Sequence, residues 1–156
     1  MDPVSQQNLK QFIFEASRAT YASGDPLIQH KEEDGSTTIR YQKKGYKYHD
    51  NFFGGEPFGG REVVFLKNKP IWMIVYYGTA SPEAESQEVY SFLKKALSYS
   101  TVDMPYRGPA DFKVGRWRYE NSLVGDVEKL SGTEKIFKDD MCVYEANYFG
   151  GLIDRR

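Results

Sequence analysis

Two stretches of the chain carry the same order of residue classes about 70 to 80 positions apart, and a repeat of that length restricts the fold more than any other feature. Leu9, Phe12, Ile13 and Ala16 recur with identical spacing as Val89, Phe92, Leu93 and Ala96, and Gln7 recurs as Gln87. Further on, Tyr46 to Gly54 lies over Trp117 to Gly125. After one inserted residue, Gly60 to Phe65 lies over Gly132 to Phe137. Ile71-Trp72 then meets Val143-Tyr144, and Tyr76-Tyr77-Gly78 meets Tyr148-Phe149-Gly150. These matches predict an internal duplication of an α-β-β-β unit, with halves 1–80 and 81–156. The expectation is a single domain over 1–156, because either half alone would leave a sheet face and an edge uncovered.

Each half opens with an amphipathic segment. The first helix is expected from Asp2-Pro3 to about Arg18. In the second, Ser81 reads as the cap, Pro82 as the first helical residue, and Glu83 and Glu85 as first-turn acids. Val89, Phe92, Leu93, Ala96 and Leu97 then trace one helical face. Three runs rich in aromatic and β-branched residues follow in each half, separated by Gly, Asn or Asp. Lys67-Asn68-Lys69 and Lys138-Asp139-Asp140 read as tight turns, and short extra strands are expected at Thr38 to Gln42 and Phe112 to Val114. Ser23 to Ser36 and Asp103 to Gly108 read as loops. Two meanders joined edge to edge make an α+β two-layer fold: one antiparallel sheet of six to eight strands with two helices on one face.

Alternation along the last strand of each half puts Trp72, Ile74 and Tyr76 on one side, and Tyr144, Ala146 and Tyr148 on the equivalent side. The opposite side holds Met73, Val75 and Tyr77 in one copy but Glu145, Asn147 and Phe149 in the other. That side is either simply solvated or one wall of a cleft.

Composition narrows the function classes. With 21 basic and 22 acidic residues and a net charge of −1, the chain has no field to attract nucleic acid or anionic lipid. The longest apolar run, Ile71 to Tyr77, is far too short to span a bilayer. No membrane and no nucleic-acid partner are expected. The N-terminus shows no secretion signal, and the single cysteine, Cys142, excludes an intramolecular disulfide, so the cytoplasm is the expected location. Cys142 sits in an apolar strand and reads as a buried, unreactive thiol. One cysteine and two histidines provide no zinc-ligand spacing, so neither metal nor cofactor is expected. Twelve Tyr, ten Phe and two Trp make up 15% of the chain. Such rings either fill a core or line a pocket.

Among the motifs, Phe52-Phe53-Gly54-Gly55-Glu56-Pro57-Phe58-Gly59-Gly60 lets the backbone approach a ligand closely, or forms a bulge or wide turn. It lacks the ending of a phosphate-binding loop. Glu62 and Glu134 occupy equivalent positions; brought together and buried they could act as acid and base, and otherwise they are solvated strand-end residues. Asp50 and Glu56 are further carboxylates nearby. Lys113, Arg116 and Arg118 alternate with Phe112, Trp117 and Tyr119, which reads as a strand with one polar and one aromatic side.

The words Phe12-Ile13-Phe14-Glu15-Ala16, Ala19-Thr20-Tyr21-Ala22, Tyr48 to Glu56 and Trp72 to Gly78 resemble an uncharacterised bacterial family described as a domain of unknown function. Its members sometimes stand behind an XRE-type helix-turn-helix. The resemblance spans roughly Leu9 to Asp154 and implies a ligand-sensing role, by analogy with proteins that join a DNA-binding segment to a sensor. This chain begins at the domain itself, which implies no DNA contact of its own. In outline the layout is also similar to gyrase-inhibitor-like effector-binding domains, whose halves frame a ligand cleft.

The leading expectation is therefore a cytoplasmic small-molecule-binding module with an aromatic cleft between the halves. Tyr48, Glu62, Trp72 and Tyr76, with Tyr119, Glu134, Tyr144 and Tyr148 as counterparts, are its candidate ligand-binding residues. The alternatives are a small hydrolase or isomerase with Glu62 or Glu134 as base, and a protein-interaction module such as a homodimer.

Overall fold

The computed structural model describes residues 1–20 and 28–156. Helix α1 spans Pro3–Ala19 and is followed by β1 (Gln29–Lys31), β2 (Thr37–Lys43), β3 (Tyr46–Gly54), β4 (Phe58–Leu66) and β5 (Lys69–Ala80). Helix α2 (Ser86–Leu97) then leads to β6 (Asp111–Val114), β7 (Trp117–Asp126), β8 (Lys129–Lys138) and β9 (Met141–Leu152). The described strands form one antiparallel sheet in the order β1-β2-β3-β4-β5-β9-β8-β7-β6. From β2 and from β6 inward the order is the same, and the two runs meet where β5 pairs with β9. Each run carries a register shift at the same place, at Val64/Phe65 and at Ile136/Phe137. The result is the expected α+β two-layer fold.

Local chemistry explains most boundaries. Asp2 caps α1 by accepting from the Ser5 amide at 2.9 Å, with Pro3 at the first helical position. The hairpins after β4 and β8 turn on residue pairs with positive φ, Lys67-Asn68 and Asp139-Asp140, as two-residue turns that match strand twist require. Both helices rest on the same sheet face. Leu9, Phe12, Ile13 and Ala16 of α1, and Val89, Phe92, Leu93, Ala96 and Leu97 of α2, join one core. Tyr48, Val64, Trp72, Ile74, Tyr119, Ile136, Tyr144 and Tyr148 complete it from the sheet. Each large apolar side chain buried there contributes roughly 2–3 kcal/mol.

Three expectations are corrected. Among the described residues the sheet has nine strands, not six to eight, because Gln29–Lys31 pairs with Thr37–Ile39 as an edge strand. Asp34 closes the connecting turn by accepting from the Ser36 amide at 2.9 Å. His30 therefore lies in a strand rather than a loop; the part of that expected loop at 23–27 falls outside the described residues. Helix α2 starts at Ser86, not Pro82. Ser81 does draw in the Glu83 amide and its carbonyl accepts from Ala84 at 3.0 Å, but this closes a single turn before the helix begins. Among the described residues, no helix is long and apolar enough to cross a membrane.

Candidate functional site

A polar frame lies between sheet and helices, and its bonds occur twice. Tyr48 on β3 donates to Glu62 on β4, and Tyr119 on β7 donates to Glu134 on β8 at 2.6 Å. Tyr76 on β5 donates to Asp50 on β3, and Tyr148 on β9 donates to Asn121 on β7 at 2.6 Å. Both of the latter reach over the intervening strand, across Gly60 and Gly132, their direct cross-strand neighbours. A Cβ on Gly60 would lie 2.7 Å from the Tyr76 oxygen, and one on Gly132 would lie 2.5 Å from Cε1 of Tyr148. Close approach of a ring explains why glycine stands at both places.

The halves differ in charge. Glu134, wholly buried, is saturated by Tyr119, by Tyr144 at 2.8 Å, and by Arg107 Nε and Nη2 at 3.1 and 2.6 Å. Arg107 sits in the left-handed region (φ 68). Its neighbours hold it there: the Tyr106 and Gly108 carbonyls accept from Asn121 at 3.2 and 3.0 Å, and the Gly108 amide donates to Tyr119 at 3.1 Å. In the first half the place of Asn121 is taken by Asp50, only 2% exposed and directly opposite Glu62. Two carboxylates thus face each other where the second half has one carboxylate and a neutral amide.

The consequence is a raised proton affinity. Burial and the charge of Glu62 push the Asp50 carboxyl up to about 7, against the pull of the Tyr76 hydrogen bond and Arg107. Burial likewise pushes Glu62 up, opposed by Tyr48 and Arg107 and reinforced by Glu134. The pair titrates as a unit. Burial first, and then the neighbouring carboxylates, push the Tyr48, Tyr76 and Tyr119 phenols well above their ordinary range, so they remain donors.

Beside this pair lies a cavity of about 280 Å³ over the first half. Tyr76 lies between the cavity and Asp50. The other walls are Ile39 of β2, Phe52 and Gly54 of β3, Phe58 of β4, and Tyr90 and Lys94 of α2. The Phe58 ring meets those of Tyr76 and Tyr90 at centroid distances of 5.9 and 5.8 Å. Glu56, in the turn after β3, fixes the rim: it accepts from Tyr90, from Thr79 at 2.8 Å and from the Ala80 amide at 2.9 Å. The Gly-rich stretch is thus a hairpin of which Gly54 and Gly55 line a cavity.

Of the eight expected ligand-binding residues, Tyr76 lines this cavity, and Glu62 is partly exposed and adjoins Asp50 across the strands. Tyr48, Trp72, Tyr119, Tyr144, Tyr148 and Glu134 are at most 2% exposed and belong to the core or its polar frame. Trp72, for example, donates its indole N–H to the Val127 carbonyl at 3.1 Å. Sequence reasoning ranks Asp50 only as a further carboxylate and passes over Arg107 inside a loop. The correspondence of Asp50 with Asn121 in the two matching stretches of sequence is the signal that marks the first. Nothing local marks the second. Cys142 is exposed rather than buried, because it follows the turn into β9 and precedes the strand's covered stretch. Arg116 and Arg118 are tied up by Asp139 and Glu120. Among the described residues, no three His, Cys, Asp or Glu side chains are arranged to hold a metal ion.

The sequence model of a protein family described as a domain of unknown function (DUF5680) matches residues 50–153. Apart from Tyr48, every member of the polar frame lies inside that match. No curated protein and no solved structure matches the chain.

Proposed function

This chain belongs to the DUF5680 family, and we propose that it binds a small, mostly apolar molecule in the cavity over its first half. One observation carries the reading. The same hydrogen-bond frame is built twice, yet only the copy that adjoins the cavity keeps two facing carboxylates, Asp50 and Glu62. A frame needed only for packing is served by the second half's arrangement of Asn121 and an Arg107-neutralised Glu134. Keeping two facing acids opposes folding and therefore calls for another use. Rings from Phe52, Phe58, Tyr76 and Tyr90 supply contact area, and the Tyr76–Asp50 bond supplies a polar end that fixes orientation. As part of the same proposal the module acts in a bacterial cytoplasm as a sensor. A separate partner, such as an XRE-type DNA-binding protein, then reads its loaded state.

A thermal-shift screen against a broad metabolite set tests this. A ligand at about 100 times its Kd stabilises the folded state by roughly 2.7 kcal/mol. The expected result is a hit whose stabilisation, measured against each chain's own unliganded melting point, is lost in Phe52→Ala. A broad set with no hit refutes the proposal.

A second reading rests on the Asp50 carboxyl near neutrality: an acid–base enzyme such as an isomerase, with the Asp50–Glu62 pair moving the proton. Glu134 does not serve that role, since Arg107 neutralises it. Conversion of the screening hit, abolished by Asp50→Asn without loss of binding, distinguishes enzyme from sensor.

A further inference from the structure

The outer face of the sheet, turned away from both helices, carries a second site independent of the first. Pairing places Arg40 on β2 directly opposite His49 on β3, and Arg61 on β4 directly opposite Asn51 on β3, two residues along from His49. Neighbouring strands lie roughly 4.8 Å apart, so the two guanidinium stems and the imidazole rise from one small area. They edge a cleft of about 530 Å³ floored by Val63, Phe65 and Met73. The His49 ring rests on Phe65, with centroids 4.9 Å apart. The Asn51 amide is fixed by donating to Ser36 and Thr38 at 3.0 and 2.9 Å.

Two acids face this corner, and one of them meets a single cation. Glu32 pairs with Arg40 at 3.5 Å. Asp34 is turned into its own hairpin, accepting from the Ser36 hydroxyl at 2.6 Å as well as its amide. Arg61 makes no ion pair among the described residues. Burial first, and then Arg40, Lys47 and Arg61, hold the His49 imidazole below its ordinary value.

The second half shows that the fold does not need these cations. At the equivalent corner Asp111 stands opposite Glu120, and Thr133 stands opposite Ser122. The same three-strand geometry forms with acids and a hydroxyl where the first half has Arg40, His49 and Arg61. The second half sets two acids at this corner, so the positive charge is a property of the first half alone and suits an anionic ligand.

We propose that this cleft binds a small organic anion, its charged head held by Arg61, Arg40 and His49 and its apolar body laid on Phe65 and Met73. Guanidinium forks match phosphate and carboxylate oxygens alike, and the apolar floor favours a head that carries a flat group.

Phenyl phosphate, benzoate and phenol, titrated into the full chain and followed by amide NMR, test the proposal. Saturable shifts confined to β2, β3 and β4 are expected with phenyl phosphate or benzoate, and the stronger of the two names the head group. Phenol, uncharged, binds at least tenfold more weakly. Arg61→Thr, which installs the residue of the second half, keeps the dispersed spectrum of the folded chain and weakens the anion at least tenfold. An unchanged affinity in Arg61→Thr, equal binding of phenol, or no saturable shift overturns the proposal.

Discussion

Asp50→Asn gives the first half the residue that the second half carries at the equivalent place, and its effect can be worked from the structure. The Tyr76 hydroxyl keeps an acceptor, as Tyr148 does on Asn121 at 2.6 Å, and the new amide faces the Glu62 carboxylate across the strand pair. The lost property is titration. Asp50 has its carboxyl raised from 3.8 to about 7 on folding, so between these values the folded state holds more protons than the unfolded one. Its contribution to stability is therefore complete below about pH 4, declines through the window, and is gone above about pH 7. Each pKa unit corresponds to about 1.4 kcal/mol. Between pH 5 and pH 8 the wild-type chain should lose about 2–3 kcal/mol through this group, or about 5–10 °C in melting temperature for a chain of this length. Urea melts followed by fluorescence of the buried Trp72 at the two pH values measure the loss. The Asp50→Asn chain should lose less than half as much and should be the more stable of the two at pH 8. An identical decline in both chains would refute the reasoning, since it would show that Asp50 is ionised in the fold with no penalty.

The remaining predictions probe the frame around that pair. Tyr76→Phe removes a bond that favours the ionised Asp50; its pH 5 to 8 decline should be steeper than wild type, and a shallower one contradicts the assignment. Gly132→Ala drives a methyl group into the Tyr148 ring and should cost about 3 kcal/mol in urea melts. Gly55→Ala, with nothing within 4 Å of its added methyl, should stay within about 0.5 kcal/mol. Glu134→Gln removes the carboxylate that Arg107 meets at 2.6 Å, leaving it only the Asp50–Glu62 pair, and should cost about 1.5–3 kcal/mol at pH 7. A loss below 1 kcal/mol there means that the guanidinium reaches water or another acid.

What could be read in advance follows from what a one-dimensional pattern encodes. The hairpins were legible because Lys67-Asn68 and Asp139-Asp140 accept positive φ between clear strands. The covered sheet face was legible because alternation assigns Trp72, Ile74 and Tyr76 together. Strand β1 was not, since Gln-His-Lys is exposed on every side and only pairing with β2 makes it a strand. The ring roles were not legible either. Period-two alternation says which face of the sheet a tyrosine takes, not how completely a helix covers it, so Tyr76 beside the cavity and Tyr48 in the core look alike in sequence.

The charge of the site was written in the two matching stretches of sequence, though in a form that only geometry weighs. Asp50 and Asn121 differ by an oxygen for a nitrogen and hold their tyrosines in the same way. Their consequences diverge because each stands directly opposite a glutamate. An amide beside Glu134 leaves one charge for Arg107 to meet, and Arg107 meets it at 2.6 Å. A carboxylate beside Glu62 adds a second charge, on which the pull of Arg107 does not outweigh burial, and the interior answers by holding a proton near neutral pH. The two matching hydrogen-bond frames thus serve as controls for one another. One frame and one set of hydrogen bonds can be neutral and structural on one side of the sheet and proton-holding on the other, and the proton-holding side is the one that adjoins a cavity.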